Sequence, residues 1–419
     1  MLTPVSEATQ IVLQNTILLP TISLPLAQCL GQILCENVTA DRDFPPFNRV
    51  AMDGIAIDYQ SFSAGQRTFK VENIQAAGSP QLTLADAKNC LEVMTGAVLP
   101  VNADTVIRYE DVTIENGQAT INIDTIRLRQ NVHHQGTDRS AGEVVIPTGT
   151  QITPAEIATA ASAGKTHLVV LQLPKAAIIS TGDELVEIDQ MPLPHQIRKS
   201  NVYAIQAALQ SWGITGDTYH LVDDPRHIKA ELGMLLNKYD FLILSGGVSK
   251  GKFDFIPQVL DELGVKKLSH RVQQKPGKPF WFGTLKPVKS EATNTPVGDA
   301  ARATNSTNKV VFALPGNPVS TFMCTHRYVQ PWLRASLGLA AFDLPYAILE
   351  SDFNFKPNLT YFLQVKTRYG KDGKLYAQPV AGKGSGDLAN LNEVDGFLEL
   401  PNTQTEFKQG EAFPFLRFR

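Results

Sequence analysis

Apolar positions at the start of the chain repeat with a helical period. Val5, Ala8 and Val12 share one face of a helix. We expect Thr3 to cap this helix and Pro4 to occupy its first turn, where a proline costs no hydrogen bond. The pattern therefore predicts an amphipathic first helix.

The pattern then changes to short apolar alternations, and residues 50–146 are predicted to be β-rich. The expected strands are Thr68–Ile74, Thr105–Tyr109, Val112–Ile114 and Ala119–Ile123. Asn116-Gly117 separates the last two and predicts a hairpin turn. A capped helix should follow, because Thr153 suits the N-cap, Pro154 the first position and Glu156 the third, with an end at Gly164.

From residue 175 onwards, strand and helix patterns alternate. The expected strands are Ala176–Ser180, Asp217–Val222, Phe241–Leu244 and Val310–Leu314. The expected helices begin at Ser200 or Asn201 and end at Gly213, begin at Asp224-Pro225, cover Asp254–Leu263 and lie near Pro318–Leu337. This alternation predicts an α/β fold with a parallel, doubly wound sheet.

Two stretches depart from that rhythm. Residues 285–308 are rich in Ala, Thr, Asn and Ser without an apolar period, which predicts a surface insertion. The tail from about Phe342 returns to β patterns. Asp372-Gly373 is the hairpin candidate there, between Gln364–Thr367 and Leu375–Val380.

Composition narrows the class of protein. A length of 419 residues suggests about three domains. A net charge of −3 argues against general electrostatic binding of nucleic acid. Hydrophobic residues make up 43% of the chain and charged residues 19%, a composition that argues against a disordered chain. The four cysteines form no CxxC pair, residues 1–41 contain no Lys or Arg, and no apolar run is long enough to span a bilayer. We expect a cytoplasmic protein without a membrane segment.

The segments after the predicted strands hold the candidate chemistry. Ligands of open parallel sheets bind beyond the carboxyl ends of the strands. The four segments there are Ser180–Glu184, Asp223–Pro225, Ser245–Gly251 and Pro315–Pro318. Glycines and helix N-termini suit phosphate, and carboxylates beside a phosphate call for a cation such as Mg²⁺. For any one segment, an ordinary role as turn or N-cap residues is the favoured explanation, but all four together favour a ligand site.

Further loops carry weaker signals. Lys275–Pro279 holds two Lys in a rigid turn before an expected strand at Phe280–Gly283, which suits either a small oxyanion or solvent. Stiff loops in the first half present Asp53, Thr95 and Asp138, each of which also fits a turn or a cap. His133-His134 lacks a partner at ligand spacing, and Gly382–Gly386 lacks the dinucleotide-binding spacing.

Taken together, these loops resemble one family. Its motifs stand here in order as PPFNRVAMDGIAI (45–57), MTGAVLP (94–100), GTDRSAGE (136–143), STGDELVE (180–187), RKSN (198–201), SGGVSKGKFDF (245–255), KPGKP (275–279), LPGNPVS (314–320) and GSGDLANLNEVDGFLELP (384–401). The sequence is similar to the molybdopterin molybdenumtransferase family, which is related to the E domain of gephyrin. The similarity covers nearly the whole chain.

The resemblance implies an enzyme that inserts molybdenum from molybdate into adenylylated molybdopterin, using Mg²⁺ or another divalent ion and releasing AMP. It implies a homodimer, with the adenylylating enzyme of the same pathway as a possible further partner. It also implies an N-terminal linking region (1–44 and 145–173), a β-rich lid domain (45–144), an α/β molybdopterin-binding domain (174–338, with the insertion) and a C-terminal β-barrel-like domain (339–419).

The family's site residues carry over by position. The implied catalytic residues are Asp53, Thr95, Asp138, Glu184 and Asp224, with Glu184 and Asp224 as metal ligands. The implied substrate-binding residues are Gly182, Asp183, Ser245, Gly246, Gly247, Ser249, Asp254, Lys275, Lys278, Pro315, Gly316, Pro318 and Ser320. Because these residues come from both the lid and the α/β domain, the resemblance implies a site shared between domains and between protomers.

This chain departs from the family pattern at a few positions. Relatives commonly carry a hydrophobic residue and an acid at the positions of Lys250 and Lys252, an Asp at Lys199 and an Arg near Gln364. The departures add positive charge in one region and remove an anion contact in another.

Two other functions fit parts of the sequence. A non-catalytic scaffold of gephyrin type would need no clustered carboxylates, so the retained acids favour the enzyme. A nucleotide pyrophosphatase or amidase would share only the α/β domain. It would leave the segments of Asp53 and Asp138 and the C-terminal domain unexplained.

Overall fold

The computed structural model describes residues 2–248, 255–286, 308–340 and 344–419. The chain forms two compact units, one made of Met1–Ile22 with Leu171–Arg419 and the other of Ser23–Val170. Most of the predicted insertion, and the predicted site residues Ser249 and Asp254, lie outside the described residues. Among the described residues, no helix combines the length and the apolar character that crossing a membrane requires.

The Ser23–Val170 unit is β-rich, as its sequence predicts. Its main sheet has six strands in the order Thr105–Arg108, Gly54–Ile57, Asn89–Val93, Thr68–Gln75, Gln118–Ile121 and Val112–Glu115. Apolar clusters cover both faces of this sheet, and the strands Gly54–Ile57, Asn89–Val93 and Thr105–Arg108 are largely buried. The shorter strands are Val38–Thr39, Arg49–Val50, Val132–His133 and Val144–Ile146, the helices are Tyr59–Ser63 and Pro154–Ser162, and Thr21–Pro25 and His167–Leu171 lie at the ends of the unit.

Local sequence signals are confirmed in this unit. Asn116 and Gly117 have φ values of 51° and 74° in the turn between two antiparallel strands, as an Asn-Gly hairpin requires. Thr153 and Glu156 form the expected capping box at the start of Pro154–Ser162. The box satisfies backbone N–H groups that have no partner within the helix.

The second unit is built on a six-stranded α/β sheet. Its strand order is Gly216–Leu221, Ala176–Thr181, Phe241–Ser245, Lys309–Leu314, Trp281–Leu285 and Lys266–His270. Helices cover both faces: Pro225–Lys238 packs with Leu242 and Leu244, and Trp332 packs against Phe241 on the other face. The helices of this unit are Val5–Leu13, Asn201–Ser211, Pro225–Lys238, Ile256–Glu262, Pro318–Cys324 and Gln330–Ser336, the last two joined by the π-helical turn Thr325–Val329.

The sheet is mixed rather than wholly parallel. The first four strands pair in parallel, which confirms the doubly wound prediction for them. Trp281–Leu285 pairs antiparallel with both of its neighbours. The connection from Lys266–His270 is too short for the crossover that a parallel pair needs. Leu285 is the last residue of the strand Trp281–Leu285, so it does not belong to the predicted insertion.

The first helix begins one residue later than expected. Val5–Leu13 has Pro4 at its N-cap, and its buried face holds Val5, Ala8 and Val12 as predicted. Thr3 does not cap it, because its backbone pairs with Arg271 and Gln273 instead. The predicted cap was wrong because this strand-like pairing joins residues far apart in the chain, which the local sequence does not indicate.

The C-terminal segment closes into a barrel, as the fold prediction requires. Five strands form a ring in the order Thr360–Tyr369, Leu375–Pro379, Tyr346–Leu349, Ala412–Arg417 and Gly396–Leu400, and the last pairs back to the first. Asp372-Gly373 lies in the predicted hairpin. A small strand pair, Phe353–Asn354 with Glu406–Phe407, lies beside the ring.

Two contacts fix the barrel to the α/β sheet. The short strand Gln274–Lys275 adds in parallel to Thr360–Tyr369. Arg327 donates two hydrogen bonds to the Glu399 carboxylate at 2.9 and 3.3 Å, and both side chains are largely buried. The loop that contains Lys275 and Lys278 is therefore held between the sheet and the barrel.

Candidate functional site

A cavity of ≈ 1110 Å³ opens between the carboxyl edge of the α/β sheet and the C-terminal barrel. Three of the four predicted strand-end segments supply most of its sheet-side wall. The predicted residues that line it are Gly182, Glu184, Ser245, Gly246, Gly247, Lys275, Lys278, Pro315, Gly316, Pro318 and Ser320. Most of the candidate substrate-binding residues therefore line one cavity, at the sheet edge where ligands of open parallel sheets bind.

The loop after Phe241–Ser245 needs its glycines. Gly246 and Gly247 have φ values of 103° and 69°, a region that other residues rarely adopt. A Cβ atom on Gly246 would lie 2.8 Å from Thr181 Oγ1, and one on Gly247 would lie 2.6 Å from Ile256 Cγ1. The absence of side chains leaves the backbone of this loop accessible to an oxyanion.

Asn201 joins three of the loops around the cavity. Its side-chain amide donates to Ser245 Oγ at 2.8 Å and to the Gly316 carbonyl at 2.7 Å, and Thr321 Oγ1 lies 3.3 Å away. The sequence placed Asn201 at a helix start but not in the site. Its partners lie 44 or more positions away along the chain, so spacing gave no signal.

The barrel contributes the opposite wall. Gln364 lines the cavity and accepts a hydrogen bond from Asn390 at 3.0 Å. Ser385 accepts from the Asn317 side chain at 2.9 Å, so it fastens the glycine-rich segment near residue 384 to the loop after Lys309–Leu314. That segment is therefore part of the cavity although it lacks a nucleotide-binding motif.

The acidic candidates of this unit occupy different positions. Glu184 is exposed and lines the cavity. Asp224 caps the helix Pro225–Lys238 by accepting from the His227 amide at 2.7 Å, and its neighbour Asp223 lines the cavity instead. Asp183 accepts from the Asp223 amide at 3.1 Å. In the part of the chain that the structure describes, no three His, Cys, Asp or Glu side chains form a metal-type cluster.

Asp53 and Thr95 meet in the Ser23–Val170 unit. Thr95 donates to Asp53 Oδ1 from its amide at 2.6 Å and from its hydroxyl at 2.7 Å. These bonds, that of the amide first, lower the pKa of Asp53 below its usual value because they stabilise the carboxylate. Gly54 follows, and a Cβ atom there would overlap the Ile107 carbonyl. The Asp-Gly pair thus presents a charged side chain from a backbone that packs closely behind it.

Asp138 has a partner that the sequence reasoning missed. His133 Nε2 lies 3.0 Å from Asp138 Oδ1, and Arg49 Nη2 lies 3.0 Å from His133 Nδ1. Since a guanidinium only donates, Nδ1 must accept and Nε2 carries the proton that Asp138 accepts. His133 was set aside because no ligand-spaced partner precedes or follows it, but the fold supplies one.

Replacing Thr95 by Val is expected to raise the pKa of Asp53 towards its unperturbed value. The rise should be partial, because the amide of residue 95 remains and makes the larger contribution. Carbon-detected NMR titration of the Asp53 carboxyl group measures it. Thr95→Ser keeps the hydroxyl and should leave the pKa low; an equal rise in both variants would contradict the hydrogen-bond assignment.

Family models cover most of the chain in three consecutive matches. They are the MoeA N-terminal region (domain I and II) over residues 3–164, the probable molybdopterin binding domain over residues 177–335 and the MoeA C-terminal region (domain IV) over residues 346–418. The fold and the order of the cavity loops are thus those of one known protein family.

Individual relatives agree with the family models. The chain is 42% identical over 391 residues to the molybdopterin molybdenumtransferase of Synechocystis sp., covering 92% of each chain. It is 30% identical over 417 residues to that of Staphylococcus epidermidis, covering 97% of this chain and 94% of the relative. A crystal structure of the molybdopterin biosynthesis moea protein from Pyrococcus horikosii superposes with a TM-score of 0.80 at 28% identity over the whole of both chains. The chain described here therefore belongs to the molybdopterin molybdenumtransferase family.

Proposed function

We propose that this chain inserts molybdenum from molybdate into adenylylated molybdopterin, forming the molybdenum cofactor and releasing AMP. The observation that carries the proposal is the cavity of ≈ 1110 Å³, which combines phosphate-type glycine loops, two lysines in a rigid turn and an exposed carboxylate. The names of the relatives support the same reaction. A substrate with a pterin, a pyrophosphate and an adenosine needs a cavity of this size and mixed polarity.

The glycine loop is proposed to hold the pterin phosphate. The backbone of Gly246 and Gly247 is free of side chains, and Ser245 is fixed by Asn201 at 2.8 Å. A preorganised loop binds an oxyanion without having to reorganise, which favours both binding and correct orientation. Gly182, Pro315 and Gly316 complete this edge, and Ser249 and Asp254 are further candidates by resemblance.

Molybdate is proposed to bind at the lysine turn. Lys275 and Lys278 project from the loop between sheet and barrel, and the buried Ser320 lines the same cavity. Two ammonium groups and a hydroxyl suit a small dianion, because each supplies hydrogen-bond donors without a competing acceptor charge.

A divalent cation such as Mg²⁺ is proposed to bind at Glu184. Mg²⁺ needs one or two protein carboxylates and completes its shell with substrate phosphate oxygens and water. Glu184 offers an exposed carboxylate in the cavity, and Asp224 is the second candidate although it also caps a helix. When bound, the cation would reduce the negative charge of the phosphates.

The lid residues are proposed to reach the cavity of a second protomer. Asp53, Thr95 and Asp138 belong to the Ser23–Val170 unit, and Glu184 belongs to the other. A homodimer with a two-fold axis would provide two equivalent sites. We further propose that the chain is cytoplasmic, in keeping with its four free cysteines, and that it receives its substrate from an adenylylating enzyme.

In vitro turnover tests the proposal. Adenylylated molybdopterin, molybdate and Mg²⁺ are incubated with the protein, and both AMP and the cofactor that reconstitutes a cofactor-free molybdoenzyme are measured. We expect both products. Binding of the pterin without AMP release would support a scaffold of gephyrin type, and AMP release without active cofactor would support a pyrophosphatase.

A further inference from the structure

A buried lysine lies in the cavity wall outside the lysine turn. Lys199 is 8% exposed and lines the cavity. Its amide donates to the Val186 carbonyl at 3.0 Å, so its backbone is fixed to the strand pair that precedes it. It lies two residues before Asn201, which holds the loops of Ser245 and Gly316. Lys199 therefore lines the same cavity as the glycine loop and lies two residues from the side chain that holds this loop.

The ammonium of Lys199 contacts one carboxylate. Its ammonium pairs with Glu187, whose side chain is 51% exposed and faces water. Taking an ammonium out of water is unfavourable unless its donors are paired, and one carboxylate contact leaves donor capacity for a second anion. A ligand anion in the cavity would supply that second contact.

The neighbouring histidine adds no charge of its own. His220 Nδ1 lies 3.0 Å from Ser180 Oγ. Burial and then the Lys199 ammonium lower the pKa of His220, while Glu187 and Asp183 act in the opposite direction. With the imidazole neutral at pH 7, Lys199 is the buried cation of this corner of the cavity.

Lys199 is separate from the lysine turn in the sheet order. Asn201 binds the end of Phe241–Ser245, whereas Lys275 and Lys278 precede Trp281–Leu285, two strands further along. The cavity thus has two cationic regions. If the lysine turn takes molybdate, the other region is free to take a phosphate.

We propose that Lys199 is the counter-ion of the phosphate group held by the Gly246–Gly247 loop, so that the pterin phosphate binds there without a divalent cation. This inference rests on the proposed function for the identity of the ligand. In this proposal the divalent cation serves the chemical step, whereas Lys199 serves the binding of the pterin phosphate. It also gives a role to one of the positions at which this chain departs from the family pattern.

The test is binding of molybdopterin and of its dephosphorylated form in EDTA, measured by isothermal titration calorimetry. Wild-type protein should bind molybdopterin equally well with EDTA and with Mg²⁺. Lys199→Met should weaken molybdopterin binding about tenfold, the value expected for one charge-assisted hydrogen bond, and leave the dephosphorylated ligand unaffected. Lys199→Arg should restore most of the affinity.

Lys309→Met is a matched control, because Lys309 is 16% exposed, pairs with Asp240 and lies at the opposite edge of the same sheet. It should bind both ligands normally. Equal losses for both ligands in Lys199→Met, or no loss, would overturn the inference. If that variant does not fold, wild-type binding that requires Mg²⁺ overturns it and wild-type binding in EDTA supports it. Failure of the proposed function would appear separately, as normal molybdopterin binding without AMP release.

Discussion

A mixture of Asp53→Ala and Glu184→Ala proteins is expected to recover about a quarter of wild-type activity after subunit exchange. The two residues belong to different compact units of the chain, and the proposed dimer brings the Ser23–Val170 unit of one protomer to the other unit of its partner. Random exchange makes about half of the dimers mixed, and each mixed dimer has one intact site and one doubly damaged site. The measurement is AMP release before and after exchange.

The matched control is a mixture of Asp53→Ala and Asp138→Ala proteins. Both residues lie in the Ser23–Val170 unit, so every site in every dimer contains one damaged copy of this unit and no activity should return. If the first mixture also stays inactive after exchange has been demonstrated, each site is built within a single chain.

Glu184→Ala is expected to reduce AMP release by about 100-fold at limiting Mg²⁺ while molybdopterin binding changes little. Its carboxylate lies exposed in the cavity, where it can share a cation with the phosphates. Glu184→Gln keeps the shape and removes the charge, so it should behave like the alanine variant. Full turnover of either variant at limiting Mg²⁺ would show that Glu184 does not serve the cation.

Asp224 allows the catalytic and structural roles of a carboxylate to be separated. Asp224→Ala removes a helix N-cap and should destabilise the protein by about 1 kcal/mol in addition to lowering AMP release. Asp224→Asn retains a good cap without the charge. A stable but poorly active Asn variant supports a role in the reaction, whereas a stable and fully active one assigns Asp224 to the helix alone.

Local signals in the sequence predicted much of the fold. The Asn116-Gly117 hairpin, the capping box at Thr153 and the apolar patterns of four strands of the α/β sheet depend on residues close together in the chain. The antiparallel pairing of Trp281–Leu285 was missed because strand direction depends on the connections between elements. Thr3 was wrongly predicted to cap the first helix for a related reason, because its backbone partners lie far along the chain.

Some residues of the candidate site could likewise be predicted from the sequence, and others could not. Glycine-rich strand ends such as Gly246-Gly247 are visible in the sequence because the location rule specifies where they meet. Asn201, Ser385 and the pair of Arg49 and His133 are visible only in the fold, since each is defined by a side-chain contact across the chain. Departures such as Lys199 gain a meaning only when their burial is known.

The stoichiometry of a single turnover tests the central claim most directly. Enzyme in excess over adenylylated molybdopterin is supplied with radioactive molybdate, and AMP and pterin-bound molybdenum are counted in the same sample. We expect one AMP for each molybdenum atom incorporated and no AMP burst without molybdate. Equal AMP release with and without molybdate, or bound molybdenum without AMP, would contradict an enzyme that couples the two events.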